Sequence, residues 1–202
     1  MKIGIYGGSF DPIHMGHLIL AEHVRDTLGL SKIIFVPART PPHVEMKTLA
    51  SDEHRLAMVT AATYDNPRFV CSDLELKRQG PSYTIDTIRE FHRKYPNDEL
   101  HFLLGADSVT EFPNWKDPEE IGSECRIVVG VRPGFGESIF EELEGKLSPE
   151  FIQSLKDNFV ETPSIGISST DIRRRLKEGK STRHLVPAGV HDYIRTNDLY
   201  RA

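Results

Sequence analysis

Short apolar runs alternate along this chain with longer segments in which apolar residues recur at every third or fourth position. The runs lie at 2–6, 32–36, 69–72, 99–104 and 126–131, and each predicts a buried strand. The segments between them predict helices at 17–28, 51–64, 83–94, 107–112 and 118–123. Strands that alternate with helices of this length favour right-handed parallel crossovers. The sequence therefore predicts an α/β fold with a Rossmann-like, doubly wound parallel sheet.

The last third of the chain departs from this pattern. The segment 134–160 is acidic and weakly periodic, which predicts an insert of one or two surface helices. A short edge strand is expected at 165–167, and the rest of the part 165–202 is expected to form helices at 168–178 and 187–196. The length of 202 residues fits a single domain spanning 1–202.

Composition and charge exclude several classes of protein. No run approaches the roughly 18 apolar residues of a membrane-spanning helix, and the amino terminus does not resemble a secretory signal. With 25 basic and 30 acidic residues the net charge is -5, so nucleic acid is not an expected partner. Cys71 and Cys125 lie far apart in apolar surroundings, which indicates reduced core thiols rather than a disulfide or zinc site. We therefore expect a cytoplasmic protein that binds neither nucleic acid nor membrane.

The densest group of unusual residues follows the first predicted strand directly. It has the sequence Gly7-Gly8-Ser9-Phe10-Asp11-Pro12-Ile13-His14-Met15-Gly16-His17 and is called the glycine-rich loop below. Glycines at the end of a parallel strand let the backbone approach a ligand, and the amides of the next helix point to the same place. The spacing is neither G-x-G-x-x-G nor that of a Walker A loop. It predicts an anion site of another type.

Two histidines end this loop, and their spacing leaves two hypotheses. His14 and His17 are three residues apart, so at the start of a helix they share a face. A metal pair would need a third and a fourth ligand at suitable spacing, and the sequence offers no evident set. We therefore favour two imidazoles that face bound phosphates, with no metal held by the protein.

A second motif lies near the other end of the chain. Residues 167–173, Ile-Ser-Ser-Thr-Asp-Ile-Arg, are called the ISSTDIR segment below. An ordinary capped helix would explain most of it, but a cationic Arg173 in the first turn opposes the helix dipole unless an anion binds there. The two motifs together resemble the (H/T)xGH and ISSTxIR signatures of the nucleotidyltransferase superfamily.

Segments in the middle of the chain narrow the resemblance to bacterial nicotinate mononucleotide adenylyltransferases. They are Pro41-Pro42-His43, Gly80-Pro81-Ser82-Tyr83-Thr84-Ile85-Asp86-Thr87, Leu104-Gly105-Ala106-Asp107 and Pro113-Asn114-Trp115. The resemblance extends over 1–132 and from 165 to the end. It departs at Val44, where the family has lysine, although Lys47 follows three positions later. The segment 134–160 is also longer than in compact members.

The resemblance implies adenylyl transfer from ATP to nicotinate mononucleotide, giving nicotinate adenine dinucleotide and pyrophosphate in NAD biosynthesis. It implies Mg²⁺ held mainly by the ATP phosphates. The implied catalytic residues are His14, His17 and Arg173. The implied ATP-binding residues are Gly7, Gly8, Ser9, Phe10, Gly105, Asp107, Ile167, Ser168, Ser169 and Thr170. The implied mononucleotide-binding residues are His43, Lys47, Ser82, Tyr83, Thr84, Trp115 and Arg132.

Three of these residues have a plain structural alternative, and for Asp107 it is the cap of a helix. In the family, the position of Trp115 stacks on the pyridine ring, and amides around it hold the nicotinate carboxylate. The same residue could belong to the core, but its polar neighbours favour a ring exposed on a loop. Thr84 could contact the mononucleotide, cap its helix, or do both.

Other functions stay open at this stage. The acceptor could be nicotinamide mononucleotide or phosphopantetheine, although the segments around Thr84 and Trp115 disfavour the latter. A nucleotide sensor without catalysis would be expected to lose the histidines or Arg173, and all three are present. The choice between monomer, homodimer and higher homo-oligomer is also open.

Overall fold

Six strands form one sheet in a computed structural model that describes residues 1–42, 49–131 and 138–201. The strands are β1 Lys2–Gly8, β2 Lys32–Pro37, β3 Phe69–Cys71, β4 Glu99–Gly105, β5 Arg126–Val131 and β6 Phe159–Glu161. Their order is β3-β2-β1-β4-β5-β6, and the pairs β1–β4, β4–β5 and β5–β6 are parallel. The chain order reverses between β1 and β4, as in the doubly wound fold. The predicted fold class is confirmed.

Helices connect the strands. They are α1 Met15–Leu28, α2 Asp52–Thr63, α3 Leu74–Lys77, α4 Thr84–Lys94, α5 Ala106–Val109, α6 Pro118–Glu124, α7 Ser138–Glu141, α8 Pro149–Asp157, α9 Ser169–Lys177 and α10 Ala188–Thr196, with a 3₁₀ turn at Phe112–Asn114. Ser51 caps α2 by accepting the N–H of His54, as its position predicted. Gly29 and Gly179 end α1 and α9 with positive φ, a conformation that glycine adopts without strain. None of the described helices has the length and apolar character needed to cross a membrane.

The chain divides into two compact units. The first comprises Met1–Gly7, Leu20–Ile33 and Tyr83–Ser164, and it contains the register Ile5↔Phe102 and Leu103↔Val128 in the middle of the sheet. The second comprises Gly8–Ile19, Ile34–Ser82 and Ile165–Ala202, where α2 packs against α10. The single domain expected from the length stays a prediction.

One local expectation was wrong. Residues 165–167 form no strand, and the outer strand is instead β6, which pairs with β5 in the register Val129↔Phe159. The acidic segment forms the helices α7 and α8, which keep Glu141, Glu150 and Asp157 exposed. They bury Phe140 and Leu155 in the first unit. The periodicity was weak because the buried residues are divided between two short helices.

The cysteines are both free, and only one is fully buried. Cys125 lies in the core, where burial raises the pKa of its thiol to about 12. Cys71 is half-buried, and burial raises the pKa of its thiol as well. A thiol whose pKa is raised stays protonated and unreactive at neutral pH, so neither cysteine has the properties of a nucleophile.

Candidate functional site

The glycine-rich loop is held in a defined shape by Phe10. This residue has a positive φ of 46°, and its side chain is buried. Its ring lies so close to Gly8 that a Cβ there would come within 3.2 Å of it, and its ring centroid lies 5.2 Å from that of His17 in an edge-on arrangement. A side chain at Gly8 would therefore have to displace the Phe10 ring by a few tenths of an ångström. The ring of Phe10 fixes the loop rather than leaving it open.

The two histidines stack on each other. Their ring centroids are 3.7 Å apart with 24° between the planes, and the backbone N–H of His14 donates to Nδ1 of His17 at 3.2 Å. A Cβ at Gly16 would come within 3.0 Å of the His14 ring, which explains the glycine between the histidines. Since Nδ1 of His17 accepts a hydrogen bond, its proton is on Nε2, and Nε2–H is the donor that His17 can offer to a ligand.

The charge of His17 is set by this packing. Burial, and secondarily the neighbouring His14, hold the pKa of His17 well below its ordinary value of 6.5. His17 is therefore neutral at pH 7. A neutral imidazole can offer an anion a hydrogen bond but no positive charge.

This lowered pKa links stability to pH. Below about pH 6.5 the unfolded chain takes up a proton on His17 that the folded protein refuses, so the free energy of unfolding decreases as the pH decreases. We expect His17→Asn to remove up to about 1.4 kcal/mol of this decrease per pH unit. Urea unfolding of both proteins between pH 7 and pH 5 measures the difference. The pKa of His101 is also lowered by burial, so the comparison must be between variant and wild type. Equal slopes would contradict the assignment.

The start of α1 does not offer all the amides that the sequence predicted for an anion. The N–H of Met15 donates to the carbonyl of Leu185 at 2.9 Å, and that of His17 donates to the carbonyl of His14 at 3.0 Å. With the N–H of His14 bonded to His17, three amides at this helix start are already used. These three amides are therefore not available for the predicted anion.

The ISSTDIR segment is bonded directly to the glycine-rich loop. Ser168 caps α9, and its hydroxyl oxygen accepts the N–H of Asp171 at 3.1 Å. The Ser169 hydroxyl donates to the carbonyl of Pro12 at 2.9 Å, and Nη1 of Arg173 donates to the carbonyl of Asp11 at 2.6 Å. Motifs about 160 residues apart in sequence are thus joined by two hydrogen bonds within the second unit.

The position of Arg173 differs from the expectation. It is the fifth residue of α9, one turn beyond the amino-terminal amides, so the conflict with the helix dipole that we expected is small. Its guanidinium is held instead by Asp11 and by the Thr170 hydroxyl, which lies 3.3 Å from Nη2. Arg173 keeps about a quarter of its side chain exposed, with 26% accessible, so it can still reach a ligand.

The sequence did not predict the burial of two charged residues, one inside the glycine-rich loop and one that is bonded to it. Asp11 and Arg55 are both fully buried. Oδ1 of Asp11 accepts from the N–H of Ala50 at 3.1 Å, and Nη1 of Arg55 donates to the carbonyl of Ser9 at 2.9 Å. Asp11 lies inside the glycine-rich loop, but nothing in the spacing of that loop distinguishes a buried residue with hydrogen bonds inside the protein from a residue that faces a ligand.

Trp115 lies in the first unit, in an aromatic group. Its ring centroid is 5.2 Å from that of Phe112 and 6.0 Å from that of Phe102, and the side chain is half-buried. The N–H groups of Asn114 and Trp115 both donate inside the turn, to carbonyls of Glu111 and Phe112. One face of the indole is thus supported by the core. These two amides are not available for a carboxylate.

The other predicted mononucleotide residues are divided between the units. Thr84 is the first residue of α4 in the first unit, after Tyr83, whose ring lies 4.8 Å from Nζ of Lys116. Ser82 belongs to the second unit and is buried, and its hydroxyl oxygen accepts the N–H groups of Arg39 at 3.0 Å and Thr40 at 3.3 Å. Its side chain organises the loop after β2.

Gly105 ends β4 and precedes α5, with open space where a Cβ would stand. Four other predicted positions are described in part or not at all. His43, Lys47 and Arg132 lie outside the described residues, as does the side chain of Asp107. Their roles stay predictions.

Known proteins resemble the chain over its whole length. A family model described as cytidylyltransferase-like matches residues 5–175, which include both motifs. A probable nicotinate-nucleotide adenylyltransferase of Thermus thermophilus is 44% identical over 201 residues, covering 100% of both chains. A probable nicotinate-nucleotide adenylyltransferase of Desulfitobacterium hafniense is 43% identical over 200 residues, covering 99% of this chain and 96% of the relative. The chain belongs to the nicotinate-nucleotide adenylyltransferase family.

Solved structures of two adenylyltransferases share the fold of this chain. Nicotinic acid mononucleotide adenylyltransferase of Plasmodium falciparum, complexed with NaAD, superposes with a TM-score of 0.76 at 22% identity, covering 98% of this chain and 97% of that one. A putative nicotinate-nucleotide adenylyltransferase of Vibrio parahaemolyticus gives a TM-score of 0.69 at 21% identity, covering 99% and 95%. The architecture is therefore the one these adenylyltransferases have.

A cavity lies elsewhere in the first unit. It measures about 370 Å³ and lies at the amino ends of β4 and β5, bordered by Glu99, Arg126 and Phe151. Ligands of parallel α/β sheets bind at the carboxyl ends of the strands. None of the predicted site residues lines this cavity.

Proposed function

We propose that the chain transfers the adenylyl group of ATP to the 5′-phosphate of nicotinate mononucleotide. The products are nicotinate adenine dinucleotide, an intermediate of NAD biosynthesis, and pyrophosphate. The observation that carries this proposal is the bond between Arg173 and Asp11, which joins the glycine-rich loop to the ISSTDIR segment. Two relatives at 43–44% identity, covered over 96% and 100% of their length, are named probable nicotinate-nucleotide adenylyltransferases.

The chemistry asks little of the protein beyond positioning. A phosphate oxygen of the mononucleotide attacks the α-phosphorus of ATP, and the bond to the bridging oxygen of the pyrophosphate breaks. The attacking oxygen is already anionic at neutral pH, so no general base is required. Catalysis then depends on aligning the two phosphates and on donors that stabilise the charge of the leaving group.

We assign those donors to the second unit. The Nε2–H of His17 would donate to the triphosphate, with His14 stacked behind it, and Arg173 would bind the distal phosphates. In the same unit, the backbone of Gly8, Ser9 and Phe10 and the segment Ile167, Ser168, Ser169 and Thr170 would contact ATP. Gly7, Gly105 and Asp107 belong to the first unit, and we propose them as ATP-binding residues there. Since the Ser169 hydroxyl already donates to Pro12, its contribution would come from its backbone.

Mg²⁺ fits this site as an ion carried by ATP. The described residues contain no group of three or more His, Cys, Asp or Glu side chains that could hold a metal, and the buried carboxylate of Asp11 lies 3.8 Å from the cationic Nη1 of Arg173. Phosphate oxygens and water would therefore supply its ligands. When bound, the ion neutralises charge on the phosphates.

We place the mononucleotide near Trp115 and Thr84. The indole has core support from Phe102 and Phe112 and is half-exposed, which is the arrangement of a stacking platform. Tyr83 and Arg132 of the same unit are also proposed to contact the mononucleotide, as are Ser82, His43 and Lys47 of the second unit. Because the amides of Asn114 and Trp115 are bonded within their turn, the nicotinate carboxylate would need other donors.

Trp115→Ala should separate the two substrates. Loss of one stacked aromatic contact weakens mononucleotide binding by about 1–3 kcal/mol, estimated from base–aromatic stacking, and leaves ATP binding unchanged. Titration of each substrate separately measures this. Trp115→Phe keeps an aromatic ring and should recover part of the affinity. Equal losses for both substrates would instead identify a tryptophan with only a structural role.

The function itself is tested by pyrophosphate release with ATP and Mg²⁺. Nicotinate mononucleotide, nicotinamide mononucleotide and phosphopantetheine are supplied separately as acceptors. We expect strong preference for the nicotinate. Release with another acceptor alone would keep the phosphate site and reject the pocket. No release with any acceptor, together with intact ATP binding, would favour a nucleotide sensor.

The cellular compartment and the partners of the protein are also proposals. We propose a cytoplasmic enzyme that uses no nucleic acid partner, since its formal charge is -5 and its substrates are small nucleotides.

A further inference from the structure

Tyr200, near the carboxyl end of the chain, is bonded to the glycine-rich loop. Its hydroxyl donates to Oδ1 of Asp11 at 2.5 Å, across 189 residues of sequence, and both residues belong to the second unit. Burial and the neighbouring Asp11 raise the pKa of Tyr200, so it remains a neutral donor at every physiological pH.

The backbone that places this tyrosine is strained. Asp198 and Tyr200 have positive φ values of 49° and 62°, a conformation that costs a residue with a side chain about 1–2 kcal/mol. A tail with no other task would relax to ordinary backbone angles. The strain persists because the hydroxyl is held at the carboxylate.

The Asp11 carboxylate is shared between two kinds of partner. Oδ1 accepts from Tyr200 and from the N–H of Ala50. Oδ2 has no hydrogen-bond donor among the described residues, and Nη1 of Arg173 lies 3.8 Å from it. That nitrogen instead donates to the backbone carbonyl of Asp11 at 2.6 Å. The guanidinium is therefore beside the buried carboxylate without being fully paired with it.

We infer that Tyr200 is a positioning residue for Arg173. A fully buried carboxylate must be satisfied by donors. With the Tyr200 hydroxyl in place, Asp11 has two donors on Oδ1, and Arg173 keeps its position at the edge of the site. Without the hydroxyl, Asp11 draws the guanidinium into a close ion pair and away from the phosphates. This inference rests on the proposed role of Arg173 in binding ATP.

The test is the affinity for ATP, measured by titration and by kinetics, in Tyr200→Phe. A lost hydrogen bond to a charged group corresponds to about a tenfold weakening, so we expect the Kd and KM for ATP to rise about tenfold. The KM for the mononucleotide should not change. Tyr193→Phe is the matched control. It removes a hydroxyl that lies 3.1 Å from Nδ1 of His54 on the same part of the chain, and it should leave ATP affinity unchanged.

Two further variants distinguish a wrong positioning role of Tyr200 from a wrong role of Arg173 in ATP binding. Arg173→Gln reports whether the arginine binds ATP at all. In an Asp11→Asn background no carboxylate can capture Arg173, so adding Tyr200→Phe should have less than a twofold effect on ATP affinity. If Arg173→Gln weakens ATP binding and Tyr200→Phe does not, the positioning role is wrong and the proposed site stands. If neither variant weakens it, both are wrong. Equal losses in Tyr200→Phe and Tyr193→Phe would indicate general loosening and overturn the inference.

Discussion

We expect replacement of His17 by asparagine to lower kcat by about 10²–10³, which is roughly 3–4 kcal/mol of transition-state stabilisation. In the wild type, the backbone N–H of His14 donates to Nδ1 of His17 at 3.2 Å. The asparagine oxygen can accept this N–H in the variant, so the loop keeps its internal hydrogen bond. The Nε2–H donor is lost. Pyrophosphate release at saturating ATP and mononucleotide measures the effect, since an interaction made mainly in the transition state affects kcat.

Two other substitutions make this prediction specific. His17→Gln reaches further and places an amide N–H near the position of Nε2, so it should recover part of the lost rate. His23→Asn, on the same helix, should retain the wild-type rate. If His17→Asn turned over at the wild-type rate, His17 would not be a catalytic donor. If His17→Asn and His23→Asn lost equal activity, α1 as a whole would be responsible.

The residues that the sequence predicted best are those whose role depends on local spacing. Glycines after a strand, histidines three positions apart and a serine before a helix are each recognisable within a few residues. For the same reason the strands and longer helices were predicted within a few residues of their observed bounds. The short β6 and α3 were missed because Phe159-Val160-Glu161 and Leu74-Glu75-Leu76-Lys77 mix apolar and charged residues over too few positions to show a period, whereas the equally short β3 is entirely apolar.

The parts of the site that the sequence did not predict depend on contacts between distant segments. Asp11 and Tyr200 are 189 residues apart, and Arg55 and Ser9 are 46 apart. Asp11 and Arg55 would both be expected at the surface from their residue type alone, yet both are fully buried. Their burial follows from the carbonyls and carboxylates that the fold brings together, and no single-sequence pattern records that pairing.

Arg55 gives the largest predicted effect on stability. Its side chain is fully buried on α2 and makes three bonds: Nε to the carbonyl of Ala50 at 3.1 Å, Nη1 to that of Ser9 at 2.9 Å, and Nη2 to Oδ1 of Asp52 at 2.5 Å. Arg55→Ala leaves those acceptors without their donor. Because Asp52 keeps 30% of its side chain exposed, the loss comes mainly from the two carbonyls left without a donor and from the cavity, together about 3–5 kcal/mol in the free energy of unfolding. Urea unfolding measures it as a shift of the midpoint at constant m-value.

The matched variants distinguish the guanidinium from its charge. Arg55→Lys keeps one positive charge but cannot reproduce a planar group with three separate bonds, so its loss should be intermediate. Arg195→Ala removes an exposed arginine from α10 and should change stability by less than about 0.5 kcal/mol. A loss below about 1 kcal/mol in Arg55→Ala would contradict the argument, since that is the size of a single neutral hydrogen bond. Because one of the three acceptors is the Ser9 carbonyl, the shape of the glycine-rich loop depends on a residue that touches no substrate.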